Sequence, residues 1–173
     1  MNLRDFERSP ANPAQSIRQE KKKMTIDEYW SQFLHATGRD PATKYFECFH
    51  FELSEYWANE LLRLVLAGQK RATASSLRAF EAEGTRPPQP GDLSIVTDWE
   101  GTPRCVIETT SVTMLPFGDM TFELCSREGE DDCLESWIEG HRRFFAAEGK
   151  ALGYEFDEGM TVVFEEFEVV YRS

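Results

Sequence analysis

Apolar residues recur every three or four positions in two segments of the first half of the chain, a pattern typical of amphipathic helices. The first segment, TIDEYWSQFLHATG, starts at Thr25, a residue suited to capping a helix, and stops at Gly38. It predicts a helix over roughly 25–36. The second, SEYWANELLRLVLAG, predicts a helix between a Ser54 cap and Gly68. Its apolar face contains Trp57, Leu61, Leu64 and Val65, and we expect Trp57 in the core.

Short alternating segments predict strands in the middle of the chain. A first strand is expected in KYFECFHF, and a second just beyond Thr73, followed by a weak helix in SLRAFEAEG. Two further segments, LSIVTD and RCVIETTSVTML, flank the turn sequence WEGTP, which predicts paired strands. A proline-rich loop, TRPPQPGD, precedes them.

The last third of the chain predicts one long helix and one long strand. The helix is expected in DDCLESWIEGHRRFFAAEG, with Asp132 at the cap and Glu135 at the third helical position. Its apolar side includes His141, interpreted as a hydrogen-bonded core histidine. The strand is MTVVFEEFEVVYRS, with a bulge expected at Glu165 and Glu166. Together the elements predict an α+β fold, a small mixed barrel or sheet with packed helices.

Length and composition fit one domain in a reducing compartment. The 173 residues are 40% hydrophobic, and no apolar run reaches the ~18 to 20 residues of a membrane span. The N-terminus lacks the pattern of a secretion signal, so we expect a cytoplasmic protein without membrane contact. The cysteines are scattered and predict free thiols, and no cofactor motif or metal-ligand spacing is present.

Charge separates the start of the chain from its body. The net charge is −12, yet residues 1–23 carry six basic and three acidic residues. This segment, MNLRDFERSPANPAQSIRQEKKK, predicts a disordered tail or a non-native extension, with the domain over 24–173. An acidic body argues against a broad electrostatic surface for nucleic acid. It favours small ligands or local contacts.

The sequence AGQKRATAS places basic and hydroxyl side chains directly behind a helix end. Gly68 is followed by Lys70, Arg71 and Thr73. The basic residues would in any case offset the negative end of the helix dipole, without a further function. Acidic residues before the long helix, including Glu128 and Asp131, are similarly interpreted as dipole capping.

Four separated blocks resemble the ASCH domain family, and a larger bacterial subgroup within it. They are LLRLVLAGQKRATASSL, PPQPGDLSIVTD, PRCVIETTSVTMLPF and EGEDDCLESWIEGHRRFF, and the resemblance runs from about Tyr29 to Tyr171. It implies a PUA-like mixed β-barrel. Gly68, Lys70 and Thr73 satisfy the family signature Gly-x-Lys-x-x-Thr.

The resemblance also implies a chemistry. A small bacterial branch of the family is proposed to hydrolyse N4-acetylcytidine with Lys, Thr and Glu, and the Glu corresponds to Glu130, four residues before Leu134. That branch is shorter than this chain and carries Arg where Ser75 stands here. Lys70, Thr73 and Glu130 are therefore the candidate catalytic residues. The candidate substrate-binding residues are Gly68, Arg71, Ser75 and Glu108.

Several alternatives remain open from the sequence. Lys70 is either a neutral base that activates Thr73 or a charged group that stabilises an oxyanion. The expected ligand is a small nucleoside-like amide, and the alternative is a single-stranded RNA bound or cleaved at the same basic cleft. Tyr45, Trp57 and Trp99 are each able to stack a base, although Trp99 is expected at a turn tip. The sequence leaves the oligomeric state open.

Overall fold

The structure is a computed structural model and describes residues 23–172. In this part of the chain the helices are α1 (Ile26–Thr37), α2 (Glu55–Leu66), α3 (Leu77–Glu83), α4 (Phe122–Cys125) and α5 (Leu134–Leu152). The strands are β1 (Glu47–Phe49), β2 (Ala72–Ser76), β3 (Leu93–Thr97), β4 (Pro103–Pro116) and β5 (Thr161–Arg172). Within 23–172 no helix is long and apolar enough to cross a membrane. The predicted tail, apart from Lys23, lies outside the described residues.

The strands form one mixed sheet that curves into a half-barrel, in the order β1-β3-β4-β5-β2. β1 runs parallel to β3, and the remaining neighbours are antiparallel. The predicted pairing around WEGTP is confirmed as β3 and β4, and the predicted final strand is confirmed as β5. The expected bulge at Glu165 and Glu166 is wrong, because the register shifts at Thr110 of β4 and at Val170 of β5 instead.

Three apolar clusters hold the helices on the sheet. α1 packs on one face through Tyr29, Trp30, Phe33 and Leu34, which contact Leu93, Ile95 and Val106. α2 packs on the opposite face through Leu61, Leu62, Leu64 and Val65, which contact Val96, Cys105, Ile107 and Phe167. α5 packs against β2 and β5 through Trp137 and Phe145, in a cluster with Ala72, Ala74, Phe117 and Phe164. Each large apolar side chain buried in this way contributes about 1.5–3 kcal/mol.

The ends of the helices test the capping predictions. The predicted cap at Thr25 and end at Gly38 of α1 are confirmed, and Glu28 adds a reciprocal bond that completes a capping box. For α5 the predicted cap is wrong, because Cys133 occupies the cap position and makes no side-chain hydrogen bond there. The predicted burial of Trp57 is also wrong, since this side chain is 50% exposed. The first three residues of α2 are exposed, whereas Ala58 and the apolar residues from Leu61 to Val65 are buried.

Candidate functional site

A tight turn after α2 carries Lys70 into the interior of the protein. Gly68 has a φ of 73°, a left-handed conformation that glycine adopts without steric cost. The backbone N–H groups of Gln69 and Lys70 both donate to the carbonyl oxygen of Leu64, at 2.9 and 3.1 Å. The chain consequently reverses at Gly68, and Lys70 is only 1% exposed.

A second turn, residues 126–130, is fixed against the first one. The Gln69 Nε2 group donates to the carbonyl oxygen of Gly129 at 2.8 Å, and the Arg71 N–H donates to that of Arg127 at 2.9 Å. Gly129 has a φ of 68°, and a Cβ there would lie 2.5 Å from the Gln69 carbonyl oxygen. Gly129 therefore allows the close contact that holds Glu128 and Glu130 beside Lys70.

The two turns bring one ammonium group and two carboxylates together. The Lys70 Nζ group donates to Glu128 Oε2 at 3.3 Å and also hydrogen-bonds Glu130 Oε1. Glu128 accepts a further bond from Trp137 Nε1 at 2.8 Å, and its Oε2 lies 3.7 Å from His141 Nε2. The ring of Phe51 lies 5.2 Å from the Lys70 Nζ group. We call Lys70, Glu128, Glu130 and His141 the ion cluster.

Charge pairing sets the protonation of the ion cluster. Burial alone would lower the pKa of Lys70, but the charges of Glu128 and Glu130 outweigh burial and raise it above 10.5. Burial would raise the pKa of Glu128, but Lys70 and His141 outweigh it and lower the value to about 2. Lys70 is therefore a cation and Glu128 an anion at neutral pH.

The pKa values of Glu130 and His141 are raised for related reasons. Burial, aided by the charge of Glu128, raises the pKa of Glu130 above 4.5 despite the opposing charge of Lys70. Burial would lower the pKa of His141, but Glu128 outweighs it and raises the pKa above 6.5. His141 Nδ1 lies 3.0 Å from the Trp137 carbonyl oxygen, so both ring nitrogens face acceptors, an arrangement that suits the imidazolium form.

The ion cluster forms the floor of a cleft between α2 and α5. The cleft encloses about 610 Å³, within the range of pockets that hold small molecules. Thr73 and Ala74 of β2 also line it. The α2 side is lined by the apolar residues Phe51, Leu53, Trp57 and Leu61 together with Glu52. The α5 side is lined by Gly140, Phe144 and Ala147 together with the polar residues Ser136, Glu139 and Arg143. The cleft thus combines a charged floor with a largely apolar wall on the α2 side and a mixed polar and apolar wall on the α5 side.

The structure brings Lys70, Thr73 and Glu130 to this one cleft. Of the candidate substrate-binding residues, Gly68 and Arg71 line a separate groove of about 750 Å³ along β5. Ser75 lies beyond the lining of both spaces, and Glu108 pairs with Arg39 at 2.5 Å. The geometry gives Glu108 no contact with the cleft.

Sequence reasoning missed two members of the ion cluster. The sequence predicts a dipole cap at Glu128, yet this residue is 1% exposed and paired with Lys70. His141 is hydrogen-bonded as expected, but one of its partners is a buried carboxylate. A signal was present in the spacing Glu-Gly-Glu, because a left-handed glycine is able to turn both acids toward one partner. Of the three candidate stacking residues, Trp57 lines the cleft, whereas Tyr45 contacts Trp30 and Trp99 contacts His50.

No metal site accompanies these groups in the described residues. Across 23–172 no three or more His, Cys, Asp or Glu side chains are arranged to hold a metal ion. The carboxylates of Glu128 and Glu130 at the floor of the cleft instead pair with the ammonium group of Lys70, which lies between them.

Comparison with known proteins identifies the family. The family model of the ASCH domain matches residues 47–171. The ASCH domain from Lactobacillus crispatus JV V101 is 38% identical, with a TM-score of 0.75, over 84% of this chain and 94% of that one. A protein from Enterococcus faecalis V583 is 31% identical, with a TM-score of 0.77, over 84% of this chain and 87% of that one. The search of curated proteins found no match. On the extent of the family match and the similarity to these structures, the chain belongs to the ASCH domain family and has its PUA-like fold.

Proposed function

We propose that the protein hydrolyses an amide on a small modified nucleoside, of the N4-acetylcytidine type. The observation that carries the proposal is the buried Lys70 ammonium group, held by two carboxylates at the floor of a cleft that Thr73 also lines. An amide oxygen that becomes an oxyanion is stabilised by a fixed positive charge nearby, and a buried ammonium group supplies that charge without reorganisation.

The protonation of the ion cluster favours Lys70 as a charged group that stabilises an oxyanion over Lys70 as a base. A lysine whose pKa is raised keeps its proton at neutral pH and is a poor base. Lys70 is therefore the positive charge beneath the cleft that stabilises the oxyanion, and it also holds Glu130 in place. The Thr73 hydroxyl, which also lines the cleft, is the proposed hydrogen-bond donor to that oxygen.

Glu130 is the proposed general base. Its side chain is 21% exposed, whereas that of Glu128 is 2% exposed, so Glu130 is the carboxylate that water and ligand reach. It takes a proton from water as the water oxygen bonds to the amide carbon. The C–N bond then breaks, the Glu130 proton passes to the leaving exocyclic nitrogen, and a carboxylic acid and the deacylated nucleoside result.

The charges around the cleft favour an uncharged ligand over RNA. Its lining includes the acidic residues Glu52, Glu128, Glu130, Asp131 and Glu139, against the basic residues Lys70 and Arg143 and the histidine His141. Phosphate groups of a polynucleotide would be repelled by this predominantly acidic lining. A nucleoside, which has no phosphate, meets no such barrier.

RNA binding or RNA cleavage at the same cleft is the alternative function. It predicts tight binding of single-stranded RNA that weakens steeply as salt increases. The hydrolase proposal predicts weak RNA binding and intact labelled RNA, with or without divalent metal. A salt titration and a cleavage assay with one labelled oligonucleotide separate the two.

The direct test is turnover of N4-acetylcytidine by the protein and by matched variants. We expect Lys70→Met, Thr73→Val and Glu130→Gln each to lower kcat/KM, with losses of about 100-fold or more for Lys70 and Glu130. Glu139→Gln is the control, because Glu139 lines the same cleft but lies outside the ion cluster. Melting temperatures show whether each variant is folded. Unchanged turnover in folded Lys70→Met and Glu130→Gln variants would refute the proposal.

A further inference from the structure

Trp57 is exposed although it lies on the apolar face of α2. It precedes Leu61 by four residues and Leu64 by seven, so the three share one side of the helix. Leu61 and Leu64 are 5% and 6% exposed, whereas Trp57 is 50% exposed. Trp57 also lines the cleft. Its indole is exposed because it faces the cleft, whereas Leu61 and Leu64 pack against the sheet.

The opposite wall of the cleft contains a glycine within a long helix. Gly140 lies in the 19-residue helix α5, where glycine is less favourable than alanine. A Cβ at Gly140 would have no neighbouring atom within 4 Å, so the position is open to the cleft. Phe144 and Ala147 follow on the same side and complete this wall. The missing side chain widens the space opposite Trp57.

We propose that Trp57 is a specificity-determining residue that covers one face of a planar heteroaromatic ring. The other face of the ring lies against the wall of Gly140 and Phe144. The apolar residues on the two sides of the cleft suit such a ring, since an indole and a base have flat, polarisable faces. Binding of the ring does not depend on the proposed function. Only the placement of an acyl group of the ligand beside the ion cluster rests on that function.

Binding rather than turnover tests the inference. Cytidine carries the ring without an acyl group, and its dissociation constant is measured by calorimetry. Base stacking on an aromatic side chain corresponds to about a 10- to 100-fold change in affinity. We expect Trp57→Ala to weaken cytidine binding by about this factor and Trp57→Phe to restore most of it.

We call the arrangement of Trp57 on one face of the ring and Gly140 and Phe144 on the other the ring clamp. Two further measurements separate the ring clamp from a general loss of structure. Trp99→Ala is the matched control, because Trp99 is a partly exposed tryptophan outside the cleft lining, and we expect unchanged affinity. Gly140→Ala should raise the melting temperature, since alanine favours a helix, and yet weaken cytidine binding, since its methyl group enters the cleft. A variant that is more stable and binds less well is not explained by misfolding.

The outcomes distinguish this inference from the proposed hydrolysis. Cytidine binding that depends on Trp57, without turnover of N4-acetylcytidine, would support the ring clamp and refute the hydrolase. The clamp itself is overturned if Trp57→Ala binds cytidine as tightly as the unmodified protein. It is also overturned if Trp99→Ala weakens binding equally, or if the unmodified protein shows no cytidine binding.

Discussion

Replacing Glu128 by Gln tests whether the ion cluster stabilises the fold through charge. Glutamine keeps the size of the side chain and an oxygen that accepts the hydrogen bond from Trp137. It removes the negative charge that faces Lys70 and His141. The variant therefore leaves two buried cations with Glu130 as the remaining carboxylate of the cluster.

The pKa of Glu128 gives the size of the expected effect. One pKa unit corresponds to about 1.4 kcal/mol, so a shift from 4.5 to about 2 corresponds to roughly 3 kcal/mol. Removal of one partner from a buried ion pair typically costs about 3–5 kcal/mol. We expect Glu128→Gln to lower the free energy of unfolding by roughly 3 kcal/mol at neutral pH.

The pH dependence gives the same prediction a second test. Because folding lowers the pKa of Glu128, its contribution is complete above the unfolded value of 4.5 and is lost as the pH falls through about 2. The difference between the two proteins should therefore shrink as the pH decreases across this window. The contributions of His141 and Lys70 behave in the opposite way, because their raised pKa values give stability at low pH that is lost at high pH.

Urea unfolding followed by tryptophan fluorescence measures the free energy of unfolding at neutral pH and its change with pH. Glu123→Gln serves as control, since Glu123 is an exposed carboxylate on α4, and its effect should be within about 0.5 kcal/mol. A loss below about 1 kcal/mol for Glu128→Gln at neutral pH would contradict a charge-stabilised cluster. An equal loss at neutral and acidic pH would attribute the effect to packing instead.

Three further predictions concern the site and its surroundings. Gly129→Ala should cost about 1–3 kcal/mol in melting experiments and reduce turnover, because its Cβ would lie 2.5 Å from a backbone oxygen of the Lys70 turn. Glu108→Gln should cost at most about 1 kcal/mol and leave turnover unchanged, because its partner Arg39 is also partly exposed and both lie outside the cleft. The pH profile of kcat/KM should fall on the acid side at a pH above 4.5, where the raised pKa of Glu130 lies, and Glu130→Gln should lack this limb.

The parts of the fold that the sequence predicted are those with local causes. The bounds of α1 follow from a cap at Thr25 and a left-handed Gly38, and both act within a few residues of the helix. The β3–β4 pair follows from two apolar strands around a short turn. Trp57 shows the limit of such reasoning, since helical periodicity gives its side of α2 but not how far the packing partner extends.

The ion cluster depends on contacts that a pattern of residues does not contain. Lys70 meets Glu128 and Glu130 across 58 and 60 positions of the chain. The resemblance to the family indicates Glu130, whereas nothing in the sequence distinguishes Glu128 from other acidic residues before a helix. Its role requires the left-handed Gly129, which turns both acids toward the lysine.

The most direct test is a crystal structure of the protein soaked with cytidine, the expected product. The account predicts the base in the cleft between α2 and α5, with its exocyclic amine near Glu130 and its ring against Trp57. A ligand seated instead in the groove beside Arg71, or a cleft that stays empty at saturating cytidine, would contradict it.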